Sequence, residues 1–218
     1  MSGVSGRDGR DQASGLGAIL LAGGRASRMD GAAKPLLEVG GRSLLRRAVD
    51  AAATAGCRPI TIVADRVDDF DAGAADVQWV REDPPFGGPA AATVTALSSW
   101  ERGPAPEWTL LLACDLPRVD AVVPRLVAAM MLLPSDTDGV CLSDATGRPQ
   151  WLTGLYRTAA LRDAASALPG RGRDARVRAL LDDLSIAVVR GEHGEADDVD
   201  TWEDLTRARG EAAGEEER

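Results

Sequence analysis

Three short runs of the chain, Ala18–Ala22 (AILLA), Pro59–Ala64 (PITIVA) and Trp108–Ala113 (WTLLLA), hold only apolar or β-branched residues. A strand with one face in water alternates apolar and polar residues, so runs like these fit only a sheet buried on both faces. Between them lie stretches with apolar residues at helical spacing. Leu44–Ala55 is closed by Gly56, and Ala90–Trp100 follows the turn Gly87-Gly88-Pro89. Buried strands alternating with helices predict a three-layer α/β/α sandwich around a mostly parallel sheet. Further strands are expected at 77–80, 139–142, 152–156 and 186–189, and helices at 121–132, 159–168, 176–184 and 201–209. Asp200 or Thr201 would cap the last helix, with Glu203 or Asp204 in its first turn. Residues 1–16, almost free of apolar side chains, read as a disordered tail, 17–209 as one domain and 210–218 (GEAAGEEER) as an acidic tail.

Ligands of such sheets gather at the carboxyl ends of the strands. That rule singles out the loops after Ala22, Val80, Ala113 and Val189. After Ala22 come Gly23 and Gly24, then the cations Arg28 and Lys34, the only lysine of the chain, and a Gly40-Gly41 turn into a helix near Ser43. Glycines permit positive φ and close backbone approach. Backbone N–H groups and point charges then suit a polyphosphate. Neither GxxxxGK[ST] nor GxGxxG is present, so a P-loop or a Rossmann dinucleotide site is not supported.

After Ala113 comes Cys114-Asp115-Leu116-Pro117. A carboxylate at the end of an apolar central strand is costly unless a cation pairs with it. Magnesium, held by one or two carboxylates and phosphate oxygens, suits that position, although a helix-capping aspartate remains the alternative. Arg81–Pro89 (REDPPFGGP) is a stiff loop, and Asp198–Leu205 (DVDTWEDL) alternates carboxylates before a helix. Either segment by itself also reads as a plain turn or a solvated acidic face.

A net charge of −9 argues against a general nucleic-acid surface. Cys57, Cys114 and Cys141 are odd in number and lack CxxC spacing, which suits a reduced cytoplasmic protein. His193 reads as a loop residue. No secretory or membrane-spanning segment is expected, and a monomer or weak homo-oligomer is.

Taken together, these elements resemble the molybdenum cofactor guanylyltransferase family of nucleotidyltransferases. They are Leu21-Ala22-Gly23-Gly24, Arg28-Met29, Lys34, Asp83 before Gly88-Pro89-Ala90-Ala91, Cys114-Asp115-Leu116-Pro117 and Asp198-Val199-Asp200-Thr201, and they occur in the family's order over about 17–208. The resemblance implies transfer of GMP from GTP to a molybdopterin-type acceptor with release of pyrophosphate. It implies nucleotide contacts at Leu21, Ala22, Gly23, Gly24, Lys34, Asp83 and Asp115, charge neutralisation by Arg28 and Lys34, and Mg2+ on Asp115 with Asp200. Cytidylyltransferases of this scaffold tend to carry LAAG, and the missing methyl, placed at Gly24, is expected to admit guanine. The chain departs from the family at Asp30, at Ala33, at Val63 where an asparagine is usual, at Asp198 and Asp200 where the family has asparagines, and at Trp202 where proline is usual. A cytidylyl- or sugar-phosphate nucleotidyltransferase, or a nucleotide-binding regulator without turnover, therefore stays open. Gly147–Gln150 and Arg171, Arg173, Arg176 and Arg178 are candidates for a second anionic substrate.

Overall fold

The computed structural model describes residues 15–24, 33–101, 103–192 and 194–216. In chain order its elements are β1 (Leu16–Leu21), β2 (Glu38–Val39), β3 (Arg42–Ser43), α1 (Leu44–Thr54), β4 (Ile60–Val63), β5 (Val77–Val80) and α2 (Pro89–Ser99). There follow β6 (Trp108–Ala113), α3 (Val119–Met130), β7 (Gly139–Ser143), β8 (Pro149–Arg157), α4 (Thr158–Ala167), β9 (Ile186–Arg190) and α5 (Trp202–Glu216). Among the described residues, seven strands form one sheet in the order β5-β4-β1-β6-β8-β7-β9. All neighbours are parallel except β8, which runs against both β6 and β7.

The apolar strands divide their side chains between two cores, as a pleat of period two requires. Ala18 and Leu20 of β1, Ile60 and Ile62 of β4, and Leu110 and Leu112 of β6 pack with Leu45, Ala48 and Val49 of α1 and Val122, Val123 and Leu126 of α3. Ile19, Val63 and Leu111 point the other way, into α2 and Leu161 of α4. The result is the three-layer sandwich. Two polar pairs are matched between the layers: Trp100 Nε1 donates to Thr61 Oγ1 at 2.8 Å, and the hydroxyls of Thr109 and Thr158 meet at 2.8 Å. Cys57, Cys114 and Cys141 are free and buried. Among the described residues, no helix is long and apolar enough to cross a membrane.

Three expectations shift. β1 begins at Leu16, inside the stretch read as a tail, because Leu16 pairs with Trp108 in register and its carbonyl accepts from Arg58 N at 2.8 Å. The helix expected at 176–184 is only a 3-10 turn, Val177–Leu180. Asp182 and Asp183 fall where the negative end of a longer helix dipole would repel them. Conversely, α5 continues through Gly210 to Glu216 rather than ending at Arg209. Leu205 and Ala208 are buried with Val39, Leu44 and Val199, Ala212 packs against that cluster, and Arg209 Nε donates to Glu38 O at 2.8 Å. Tertiary packing here outweighs the low helix propensity of glycine.

Tight packing at the antiparallel strand yields a test. A Cβ added at Gly154 would stand 2.7 Å from Val140 O and 2.6 Å from the Tyr156 hydroxyl. Gly154→Ala should therefore destabilise the protein by about 1–3 kcal/mol in urea denaturation. A midpoint equal to the wild type would show that β7 and β8 are not packed this closely.

Candidate functional site

Parallel register sets three strand ends level. Leu21 lies opposite Val63 on one side and Ala113 on the other, so the loops leaving β1, β4 and β6 start side by side. From β1 the chain's strand order runs outward in both directions, through β4 and β5 one way and β6 the other. Such a reversal leaves a crevice at the strands' carboxyl ends. A cleft of about 520 Å³ occupies it. Leu21, Ala22, Gly23, Gly24, Lys34, Val63, Asp65, Glu82, Phe86 and Asp115 are among its walls.

The glycine pair acts differently from the expectation. Gly23 and Gly24 do not adopt positive φ, unlike Gly40 and Gly41, which form the turn between β2 and β3. The N–H groups of Ala22 and Gly23 both donate to Val63 O, at 3.2 and 3.0 Å. A Cβ at Gly23 would meet that carbonyl at 3.3 Å, whereas one at Gly24 would meet open space. The position at which LAGG and LAAG differ is Gly23, not Gly24. Its lack of a side chain lets the β1 end lie tight against β4.

Where Asp115 enters the cleft wall, three carboxylates converge. Asp115, Asp198 and Asp200 each bring an oxygen within 4.8 Å of the others. Two local features bring them there. Val199 N donates to Asp115 O at 2.9 Å, which ties the segment after β9 to the end of β6. Val199 itself is fully buried with Leu205 and Ala208 of α5, and Asp198 and Asp200 on either side of it both reach Asp115. Thr201 and Asp204 then form a reciprocal cap on α5: Asp204 Oδ2 accepts from Thr201 N at 2.9 Å, and Thr201 Oγ1 from Asp204 N at 3.2 Å. Lys34 closes the group through an ion pair with Asp200.

Crowding shows in the proton affinities. Burial first, and then the charge of Asp198, push Asp115 up to about 6, against the pull of Lys34. Asp198 is also raised, by burial and then by Asp200. A set of hard oxygen donors that repel one another is the chemistry a small divalent cation satisfies, so these residues fit magnesium.

The cleft thus unites Leu21, Ala22, Gly23, Gly24, Lys34 and Asp115, with Asp200 joined through Lys34. Asp83 is exposed and does not line it; at this point the wall is Glu82. Arg28, with Met29, Asp30 and also His193, lies outside the described residues. Val63, in place of the family's asparagine, lines the wall, and Arg81 pairs with Asp65 beside it at 2.6 Å. Neither Gly147–Gln150 nor the four arginines at 171–178 line the cleft. Arg178 pairs with Asp182 at 2.8 Å, while Arg171 donates to Ser98 Oγ at 3.1 Å. Two residues hold a place at the site that the sequence reading did not assign to them. Asp198 was signalled by its two-residue spacing from Asp200, and Glu82 only by its adjacency to Asp83.

The MobA-like NTP transferase domain matches residues 18–189. The chain belongs to that family. A probable molybdenum cofactor guanylyltransferase from Synechococcus elongatus is 37% identical over 149 residues, covering 65% of this chain and 72% of that protein. Among solved structures, molybdopterin-guanine dinucleotide biosynthesis protein A from Archaeoglobus fulgidus superposes with a TM-score of 0.65 at 17% identity, covering 90% of this chain and 98% of that one. The 4-diphosphocytidyl-2C-methyl-D-erythritolsynthase of Anaerococcus prevotii superposes with a TM-score of 0.62 at 16% identity, covering 93% and 100%. The same fold thus accompanies differently named proteins, and the fold alone does not select the base.

The raised pKa of Asp115 gives a signed prediction. Its folded value, about 6, exceeds the ordinary one, so the protonated form is favoured on folding and ionisation works against the fold. This penalty is absent below about pH 4 and grows as pH rises through about 6. Without divalent cations, Asp115→Asn should be more stable than the wild type at pH 7, by on the order of 1–3 kcal/mol. The gain should vanish near pH 4. A pH-independent difference in chemical denaturation would contradict the crowding.

Proposed function

We propose that the chain transfers GMP from GTP to a molybdopterin-type acceptor, releasing pyrophosphate, with magnesium held by Asp115 together with Asp200 and Asp198. What carries this reading is the meeting of three carboxylates and the chain's single lysine at one end of a nucleotide-sized cleft in a MobA-like domain. The names of its relatives supply the guanine and the acceptor. An acceptor phosphate oxygen attacks the α-phosphorus of GTP; the bond from that phosphorus to the bridging oxygen breaks, and pyrophosphate leaves with the electron pair. No protein nucleophile is needed, so the chain's contribution is positioning and charge compensation. Leu21–Gly24 offer a close backbone wall, and Lys34 sets a positive charge between the cleft and the carboxylates. Magnesium on those carboxylates would neutralise phosphate charge and help pyrophosphate depart.

The direct test is pyrophosphate release with magnesium, acceptor and GTP, CTP or ATP in turn. GTP should support it best, and a preference for CTP would remove the guanine assignment. In the same assay Lys34→Ala should lower turnover at least tenfold, about 1.4 kcal/mol of transition-state stabilisation. Wild-type kinetics in that variant would exclude Lys34 from the phosphate site.

Ligand roles separate by substitution. Asp115→Ala should abolish magnesium-dependent turnover and weaken magnesium–GTP binding far more than binding of metal-free GTP. Asp200→Asn, the residue usual in the family, should be tolerated. The reverse pattern, with Asp115 dispensable and Asp200 essential, would mean the metal sits elsewhere.

A further inference from the structure

Of the chain's five tryptophans, two phenylalanines and one tyrosine, only Phe86 and Trp202 are exposed. Phe86 is the one of these two that lines the cleft, and the residue is 51% exposed. It is also one of three non-glycine residues, among those described, with positive φ, at 64°. A bulky side chain in the left-handed region is strained. A half-exposed ring recovers little of that by burial. Neither effect favours phenylalanine for the fold itself, and glycine or asparagine would suit the backbone better.

The conformation is held from several sides. Backbone N–H groups of Gly87 and Phe86 face the carboxylate of Glu82, whose pKa is raised by burial in spite of them. Asp174 N donates to Gly87 O at 2.7 Å, and Arg173 Nη1 to Pro84 O at 3.4 Å. The next residues, Gly88 and Pro89, begin α2. Strain that the surroundings enforce at a cleft wall points to use of the side chain that bears it.

The geometry points to Phe86 as the stacking platform for the nucleobase of the bound nucleoside triphosphate, with Glu82 and the Arg173–Asp174 segment as the groups that hold its loop in place. This rests on the proposed nucleotidyltransferase function and adds a binding residue to it. The carboxylates and Lys34 lie with the ends of β6 and β1, whereas Phe86 follows β5, two strands out from β1. A nucleotide with its phosphates at Lys34 and Asp115 and its base on Phe86 lies along the cleft. The flat face of the base then covers a ring that water otherwise wets. Stacking of this kind depends on ring area and reads no hydrogen-bond pattern. It supplies affinity for the base, while discrimination between bases falls to other groups.

Calorimetric titration of wild-type, Phe86→Asn and Phe86→Tyr protein with GTP and with inorganic tripolyphosphate, both with magnesium, tests it. Asparagine tolerates the left-handed backbone, so thermal unfolding should show Phe86→Asn no less stable than the wild type. Loss of one stacked base should weaken GTP binding by about tenfold or more in Phe86→Asn, leaving tripolyphosphate unchanged and Phe86→Tyr close to wild type. GTP binding unchanged in Phe86→Asn overturns the inference and leaves the proposed function standing. An equal loss for GTP and tripolyphosphate also overturns it, by showing that the ring only props the loop. A wild-type protein that binds no nucleoside triphosphate overturns the proposed function and this inference together.

Discussion

Everything at the site follows from the backbone ladder that sets Leu21 opposite both Val63 and Ala113. Parallel strands with both faces buried slide only at the cost of turning apolar side chains out of their layers. The alternation of Ala18, Ile19 and Leu20 between the two cores fixes β1 against its neighbours. With the strand ends level, the loops after β1, β4 and β6 have no choice but to share one crevice. The fit is tight enough that Val63 O accepts from both Ala22 and Gly23, and a Cβ at Gly23 would stand 3.3 Å from that oxygen.

Onto that frame the chain brings charge that the fold by itself does not want. Burial and mutual repulsion raise the proton affinities of Asp115 and Asp198, with Asp200 adding to both, and Lys34 is paired into the group as a partial counterweight. Apolar burial holds them there nonetheless. Val199 is enclosed with Val39, Leu44, Leu205 and Ala208, and its N–H is tied to Asp115 O. Hydrophobic packing of one valine thus offsets repulsion between its two neighbours. Poised repulsion of this kind suits a site for a divalent cation and a polyphosphate, because the cation relieves it directly and brings the phosphates with it.

Helix α5 shows the same coupling from the other side. Its first turn is capped by Thr201 and Asp204, directly after the carboxylates, and its body docks on the β2–β3 hairpin through Arg209 and the buried Leu205. The same hairpin follows Lys34. The lysine and its partner Asp200, far apart in the chain, are therefore carried by one small packed unit outside the sheet.

Much of this was legible in the residues alone. Doubly buried strands such as ITIV at 60–63 and LLL at 110–112 have no stable place except inside a covered sheet, and that physics is local. Asp115 was legible for the same reason, since a carboxylate ending such a strand needs a partner. What lay beyond the sequence were matters of direction and contact. An acid in the loop after β5 was plain, for Glu82 and Asp83 are adjacent; which of the two faces the cleft depends on how the loop 81–88 is pinned from Asp174 and Arg173. The pattern of Ile186–Arg190 and Asp198–Asp200 likewise shows two alternating segments, but only the bond from Val199 to Asp115 aims both carboxylates at the same point. The length of α5 and the shortness of the turn at 177–180 were decided by what packs against them. Local propensity and pattern set which elements form, and long-range packing, which no window of sequence contains, set where their side chains meet.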